Sequence, residues 1–259
     1  MSSTGIGPVT GVHGAITVPN AVIVDSMEAF ASSKRSIERV LGEYEGMPGF
    51  KSIVGSQLGL DLIIQLVPQY PQAVVQAVSE LYSIGVRRVI LLGRGFRVRK
   101  GVGQESVLIA QGAVPLDSSS RRLAEPGLPL LASMNLLSTA SNILEVRFSE
   151  FEYLVGLTVT VDHPRLPWVK DDVERYMGVE GVYAVDSLTA PLYALQYRFP
   201  RLEAVSLSIL YTQYTAPLAP LEPNADVFIR RVKEESRREA ILYLAAVEIL
   251  KAVSGLKEI

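Results

Sequence analysis

His163 follows Asp162 and precedes Pro164, at the end of the β-branched run Tyr153 to Val161. Imidazole titrates near neutral pH, so a histidine can carry protons there. α/β sheets hold ligands beyond the carboxyl ends of their strands, which makes this position a candidate acid. The plainer alternative is a turn histidine bonded locally. His13, the other histidine, lies in the Gly/Ser/Thr-rich stretch 1–14, expected to be flexible and solvated. Arg94, Arg97, Arg99 and Lys100 follow a second apolar run. Arg94 stands directly at its end, where a planar guanidinium could bind phosphate through two parallel donors. Gly93-Arg94-Gly95 invites a dinucleotide reading, but the third glycine position is Val98, so a strand end with a tight turn is expected. Phosphate-cradling loops of the Gly-x-x-x-x-Gly-Lys type are absent. Ser56 is adjacent to Gly55 rather than centred between glycines, which rules out a nucleophile elbow. The acidic pairs Asp171-Asp172 and Glu234-Glu235 are expected on solvated faces, since helix neighbours point in different directions.

Composition removes other chemistries. The chain has 259 residues and no cysteine, which excludes disulfides, thiolate nucleophiles, Fe–S clusters and Cys-based zinc sites. Two distant histidines make a metal site unexpected. With 25 basic and 27 acidic side chains the formal net charge is −2, leaving no basic footprint for nucleic acid. The sequence contains no apolar stretch long enough to span a bilayer and no secretory leader pattern, so a soluble cytoplasmic protein without membrane partners is expected.

The elements that must position these groups alternate between strands and helices. Ala21 to Val24, Phe50 to Val54, Leu60 to Val67, Val89 to Leu92, Ser106 to Ala110, Ala113 to Leu116, Tyr153 to Val161 and Ala204 to Tyr211 read as strands. Met27 to Leu41 reads as a helix, as do Pro71 to Ile84, Lys170 to Met177 and Thr189 to Tyr197. Pro71 suits a first helical turn and Gly85 a helix end. Glu43 to Gly49 and residues 117–136 read as irregular, and Ala216 to Pro223, with three prolines, as a loop. The C-terminus reads as a long helix capped by Asn224, with Ile241, Leu244, Ala245, Ile249 and Ala252 on one face. Such alternation predicts one α/β domain over residues 1–259.

Three stretches carry a family resemblance. Val75 to Gly85 leading into Val89 to Gly93 is similar to a pattern "xxExLxxxG" followed by "xxIRxG". Gly103 to Asp117 is similar to "GDxVIxxGAxxxDG", and Gly181 to Tyr193 to "GxxxVEMExAALY". Together, from about Val22 to about Val253, they resemble the nucleoside phosphorylase superfamily, which holds purine nucleoside phosphorylases, uridine phosphorylases and related nucleosidases. The resemblance implies a three-layer phosphorylase/hydrolase-like fold, a mixed central sheet flanked by helices. It implies cleavage of an N-glycosidic bond with phosphate or water, no cofactor beyond phosphate as co-substrate, a nucleoside or nucleobase ligand, and a homo-oligomer, dimer or hexamer.

The chemistry-bearing positions depart from that pattern. The phosphate turn after the first strand is matched by Val24-Asp25-Ser26, with Glu28 nearby to repel an anion. The strand arginine falls on Leu91, and Arg94 could restore its charge from three residues on. In the third motif the glutamates fall on Asp186 and Leu188 and the methionine on Ser187. A leucine cannot grip ribose hydroxyls. The later strand's acid falls on Gln213-Tyr214, and the base-stacking region on Val161 to Pro164, with Trp168 near. Catalytic candidates are therefore Asp186 and His163; Asp25, Arg94, Ser187, Gln213 and Tyr214 are candidates for ligand binding. Three readings remain: a divergent phosphorylase or nucleosidase, a non-catalytic relative that binds a nucleoside-like ligand or an active homologue, and an unrelated α/β binding domain.

Overall fold

The computed structural model describes residues 9–12, 18–99, 101–104, 106–124, 128–164, 166–214 and 225–255, with side chains described except at 167 and 225–232. His13, Lys100, Pro126, the Ala216 to Pro223 loop and the Asn224 cap lie outside the described residues. From stretch 1–14, residues Val9 and Thr10 are tied down: both backbone amides donate to the Glu80 carboxylate.

In chain order the elements are β1 (Asn20–Val24), α1 (Met27–Ser36), β2 (Arg39–Glu45), β3 (Lys51–Gln57), β4 (Leu60–Leu66), α2 (Pro71–Ser83), β5 (Arg88–Arg97) and β6 (Ser106–Pro115). There follow α3 (Ser120–Leu123), β7 (Leu130–Leu131), α4 (Met134–Arg147), β8 (Tyr153–Thr160), a 3-10 turn at Pro167–Val169 and α5 (Lys170–Glu174). The last four are β9 (Val182–Asp186), α6 (Thr189–Gln196), β10 (Glu203–Gln213) and α7 (Ala225–Val253).

All ten strands join one mixed sheet, ordered β10-β6-β8-β9-β5-β1-β4-β3-β2, with β7 on β6. β1 is uniformly buried because it lies between β4 and β5, parallel to both. A strand covered on both faces gains from continuous apolar side chains rather than alternation. The sheet also closes on itself. β10 pairs with β5 in parallel and with β6 in antiparallel, so β5, β10, β6, β8 and β9 form a ring. The ring shuts through two residue pairs of β5 and β9, Phe96 with Val185 and Arg97 with Ala184. Gly95 permits that closure: a Cβ there would lie 2.9 Å from Leu210 Cδ2 and 3.4 Å from Ala184 Cβ.

Several elements differ from the sequence reading. The first helix ends at Ser36 rather than Leu41, because Ile37 adopts an extended conformation and the chain enters β2. β2 is an edge strand whose Val40 and Leu41 are exposed, so their apolar spacing did not report a helix face. It also runs through Glu45, leaving residues 46–49 as the turn. β5 does not stop at Gly93 but continues to Arg97, held by β10 and β9. The pieces 106–110 and 113–116 are one strand with a bulge between Ala110 and Gly112. Stretch 117–136 contains α3, β7 and the start of α4, a helix the periodicity did not show. The helix expected to reach Met177 ends at Glu174.

Tyr193, on α6, ties β6 to β10. Its side chain is fully buried; its hydroxyl donates to Ala110 O and accepts from Ser206 N at 2.9 Å. Ala110 and Ser206 are the last partners of the β6–β10 ladder, next to the bulge. Tyr193→Phe leaves a buried carbonyl and a buried amide without that partner. It is expected to lower stability by roughly 1–3 kcal/mol, measured by urea denaturation.

Candidate functional site

The two-pair contact between β5 and β9 brings the carboxyl ends of those strands together, beside the end of β1. A cavity of about 350 Å³ opens there. Its wall includes Asp25 after β1, Gly93 and Arg94 on β5, His163 after β8, Asp186 and Ser187 at the end of β9, and Ser208, Tyr211 and Thr212 on β10. Gln69, ahead of α2, and Glu235, on α7, also face it.

Asp25 is positioned by strict local structure. The next residue, Ser26, caps α1 by accepting from Ala29 N at 3.0 Å, which fixes the turn after β1. Asp25 Oδ2 accepts from Arg94 N at 3.1 Å, and Gln69 Nε2 donates to Asp25 O at 3.3 Å. Burial raises the Asp25 carboxyl from 3.8 to about 7, against the pull of Arg94 and with the push of Glu239. A carboxyl in that range can both give and take a proton at neutral pH.

Arg94 reaches the cavity with its charge already matched. Nε and Nη2 donate to Glu239 Oε1 at 2.9 and 2.7 Å, and Glu28 Oε2 lies 3.6 Å from Nη2. The Tyr211 ring centre is 5.9 Å from its Cζ. Burial works against the guanidinium charge, but Glu239 and Asp25 outweigh it and hold the pKa above the ordinary arginine value.

Asp186 is buried and spoken for. Oδ1 accepts from Thr160 Oγ1 at 2.7 Å and from Thr189 N at 3.4 Å, and Oδ2 accepts from Thr189 Oγ1. Burial raises its carboxyl above the ordinary range, with the threonine donors opposing. These bonds tie β9, β8 and the start of α6, so the carboxylate orients the wall as well as lining it.

Asp25, Arg94, His163, Asp186 and Ser187 thus share one cavity. Gln213 and Tyr214 do not line it. β10 carries a register shift between Leu210 and Thr212 that turns Tyr211 and Thr212 to the cavity instead. Gln213 pairs with Arg97, and Tyr214 packs edge-on against Phe96 at 6.2 Å, inside a cluster with Val98, Val161 and Val185. Trp168 is exposed and stands off the cavity wall. Glu235 is the half-buried member of its acidic pair, and Glu234 is the exposed one. Glu239 was not among the candidate site residues. Its signal was an acid in step with Leu242 and Ala246 on the apolar stripe of α7.

Among the described residues no group of three or more His, Cys, Asp or Glu could hold a metal ion, and no helix is long and apolar enough to cross a membrane. No family model and no curated protein sequence matches this chain. Solved structures do. Uridine phosphorylase from Vibrio fischeri ES114 superimposes with a TM-score of 0.82, covering 96% of this chain and 99% of its own, at 19% identity. A structure of that organism's uridine phosphorylase complexed with 6-hydroxy-1-naphthoic acid gives a TM-score of 0.76, covering 91% and 92% at 19% identity. Over nearly its whole length, then, this chain has the fold of a nucleoside phosphorylase.

Proposed function

We propose that this chain binds a nucleoside in the cavity and cleaves its N-glycosidic bond with water rather than phosphate. The observation that carries the reading is Asp25. It lines the cavity with a carboxyl raised to about 7, beside an arginine already paired with Glu239. A phosphate dianion would meet Asp25, Asp186 and Glu235 in the wall and a cation with little charge to spare. Water meets no such penalty. Asp25 takes its proton, the oxygen bonds to the anomeric carbon, and the bond to the base breaks with its electron pair leaving on the base. His163, also in the wall, supplies the proton that the departing base requires. Ser187, Ser208, Thr212 and Gln69 offer hydroxyls and an amide to the ribose.

A second reading, a ligand-binding relative without turnover, is favoured by two features. Leu188 stands where the resemblance implies a ribose-gripping glutamate, and Asp186 is engaged by Thr160 and Thr189. A nucleoside panel assayed for free base, with and without phosphate, separates the two. Phosphate-independent base release is expected, and stimulation by phosphate would overturn the reading. Ligand-induced thermal stabilisation with no base release would select the binding relative.

The Asp25 base sets a pH dependence. kcat/KM is expected to rise with pH through about 7 as Asp25 ionises, and Asp25→Asn to lower it by roughly 10²–10⁴-fold. Stability moves the other way. The folded state holds the Asp25 proton more tightly than the unfolded chain, so this group's contribution is fully present below about pH 4 and is lost as pH rises through about 7. Asp25→Asn is therefore expected to stabilise the protein at pH 8, on the order of 2–4 kcal/mol, and to flatten that slope in denaturant titrations.

We also infer a homo-oligomer, dimer or hexamer, working in the cytoplasm. Edge strand β2 leaves Val40 and Leu41 exposed, with Met47 exposed just beyond it, and an uncovered apolar edge favours pairing. Light scattering is expected to give a mass at least twice that of the chain.

A further inference from the structure

Glu239 places a carboxylate on the buried stripe of α7, 6% exposed. One of its oxygens, Oε1, gathers three donors: Arg94 Nε at 2.9 Å, Arg94 Nη2 at 2.7 Å and Ser26 Oγ at 3.3 Å. The other, Oε2, is buried and lacks a hydrogen-bond partner among the described residues. Beside it lies a void of about 10 Å³, room for no more than one water, bounded by Asp25, Gly93, Ala29 and Leu242 among others. A guanidinium fork and a hydroxyl at the start of α1 are the donors a small oxyanion uses. Here they come from the turn after β1 and from β5, and the anion they hold belongs to the chain itself.

We propose that Glu239 is a built-in occupant of an oxyanion site formed by Arg94 and Ser26, and that it is the residue setting the cavity's specificity against phosphate. The inference rests on the reading of the cavity as a water-using nucleoside site. A purely structural ion pair would need its partner's packing as well as its charge. An occupant can be replaced by a free anion of similar chemistry. Removing the Glu239 side chain enlarges the void, leaves Arg94 without its principal countercharge and opens the donors to solution anions. Glu28, at 3.6 Å and half-exposed, is too distant and too solvated to take over the fork.

Chemical rescue tests this with no nucleoside present, so its result stands apart from the base-release assay. Thermal unfolding of Glu239→Ala is followed against inorganic phosphate, sulfate and acetate at constant ionic strength, with chloride as the balancing salt. The variant's Tm is expected to rise saturably with phosphate, in the millimolar range, while the wild type shows no saturable rise. Adding Arg94→Met to the Glu239→Ala chain is expected to abolish the response. If Glu239→Ala does not fold alone, refolding it in phosphate is expected to recover folded protein. Glu239→Gln, which removes the charge but still fills the space, is expected to show a smaller rise than Glu239→Ala. Equal phosphate stabilisation of wild type and Glu239→Ala, or no response of Glu239→Ala, would overturn the proposal.

Discussion

The buried ion pair of Arg94 and Glu239 holds three parts of the molecule in one place. Arg94 belongs to β5, Glu239 to α7, and Ser26, the cap of α1, donates to the same carboxylate oxygen. Taking two such charges out of water is costly, and the attraction offsets the cost only when geometry is good. Here the guanidinium gives two donors at 2.7 and 2.9 Å to one oxygen, and Asp25 adds an acceptor for the Arg94 amide. Losing either charge would strand the other in a low-dielectric site. The pair therefore fixes where α7 lies over the sheet, and with it where Glu235, one turn earlier, meets the cavity.

Ring closure supplies the second constraint. β5 is the pivot: parallel to β1 and β10 along its length, and antiparallel to β9 at its tip. That switch of partners brings the ends of β1, β5 and β9 to one point and makes a cavity where an open sheet would have a shallow crevice. Gly95 is explained by this crossing alone, since a side chain there would collide with Leu210 and crowd Ala184. The glycine pair at 93 and 95, suggestive of nucleotide binding in sequence, is packing at one end and ordinary strand at the other.

Where burial is continuous, sequence shows structure directly. Ala21 to Val24 and Val89 to Leu92 are apolar throughout because they are covered on both faces, and Pro71 and Gly85 mark α2 through backbone geometry alone. Signals fail where the cause is distant in the chain. α4 buries only Leu136, Ala140 and Leu144 along a narrow stripe, with serines, an asparagine and a threonine between, so its periodicity is weak. Val40 and Leu41 continue an apolar spacing begun in α1, although the chain has already turned extended at Ile37. Bulges at Gln111 and Tyr211 leave no compositional mark, and the second is why Gln213 and Tyr214 fall past the cavity while Tyr211 and Thr212 enter it. The wall residues that follow apolar runs in the sequence, Asp25, Arg94 and Asp186, were legible. Glu239, 145 positions from its partner, was not.

Charge balance connects these features. Arg94 carries one positive charge, and Glu239 and Asp25 compete to neutralise it in a region that burial makes intolerant of net charge. Glu239 has the better geometry, two donors against a single backbone amide for Asp25. Burial is the largest influence on Asp25; the Arg94 charge and amide oppose it, and Glu239 adds a smaller repulsion of the ionised form. Its proton affinity climbs to the neutral range as a result. One carboxylate on α7 therefore has two consequences at once. It takes the cation that an incoming anion would use, and it adds a smaller push to the carboxyl at the end of β1 that burial has already raised.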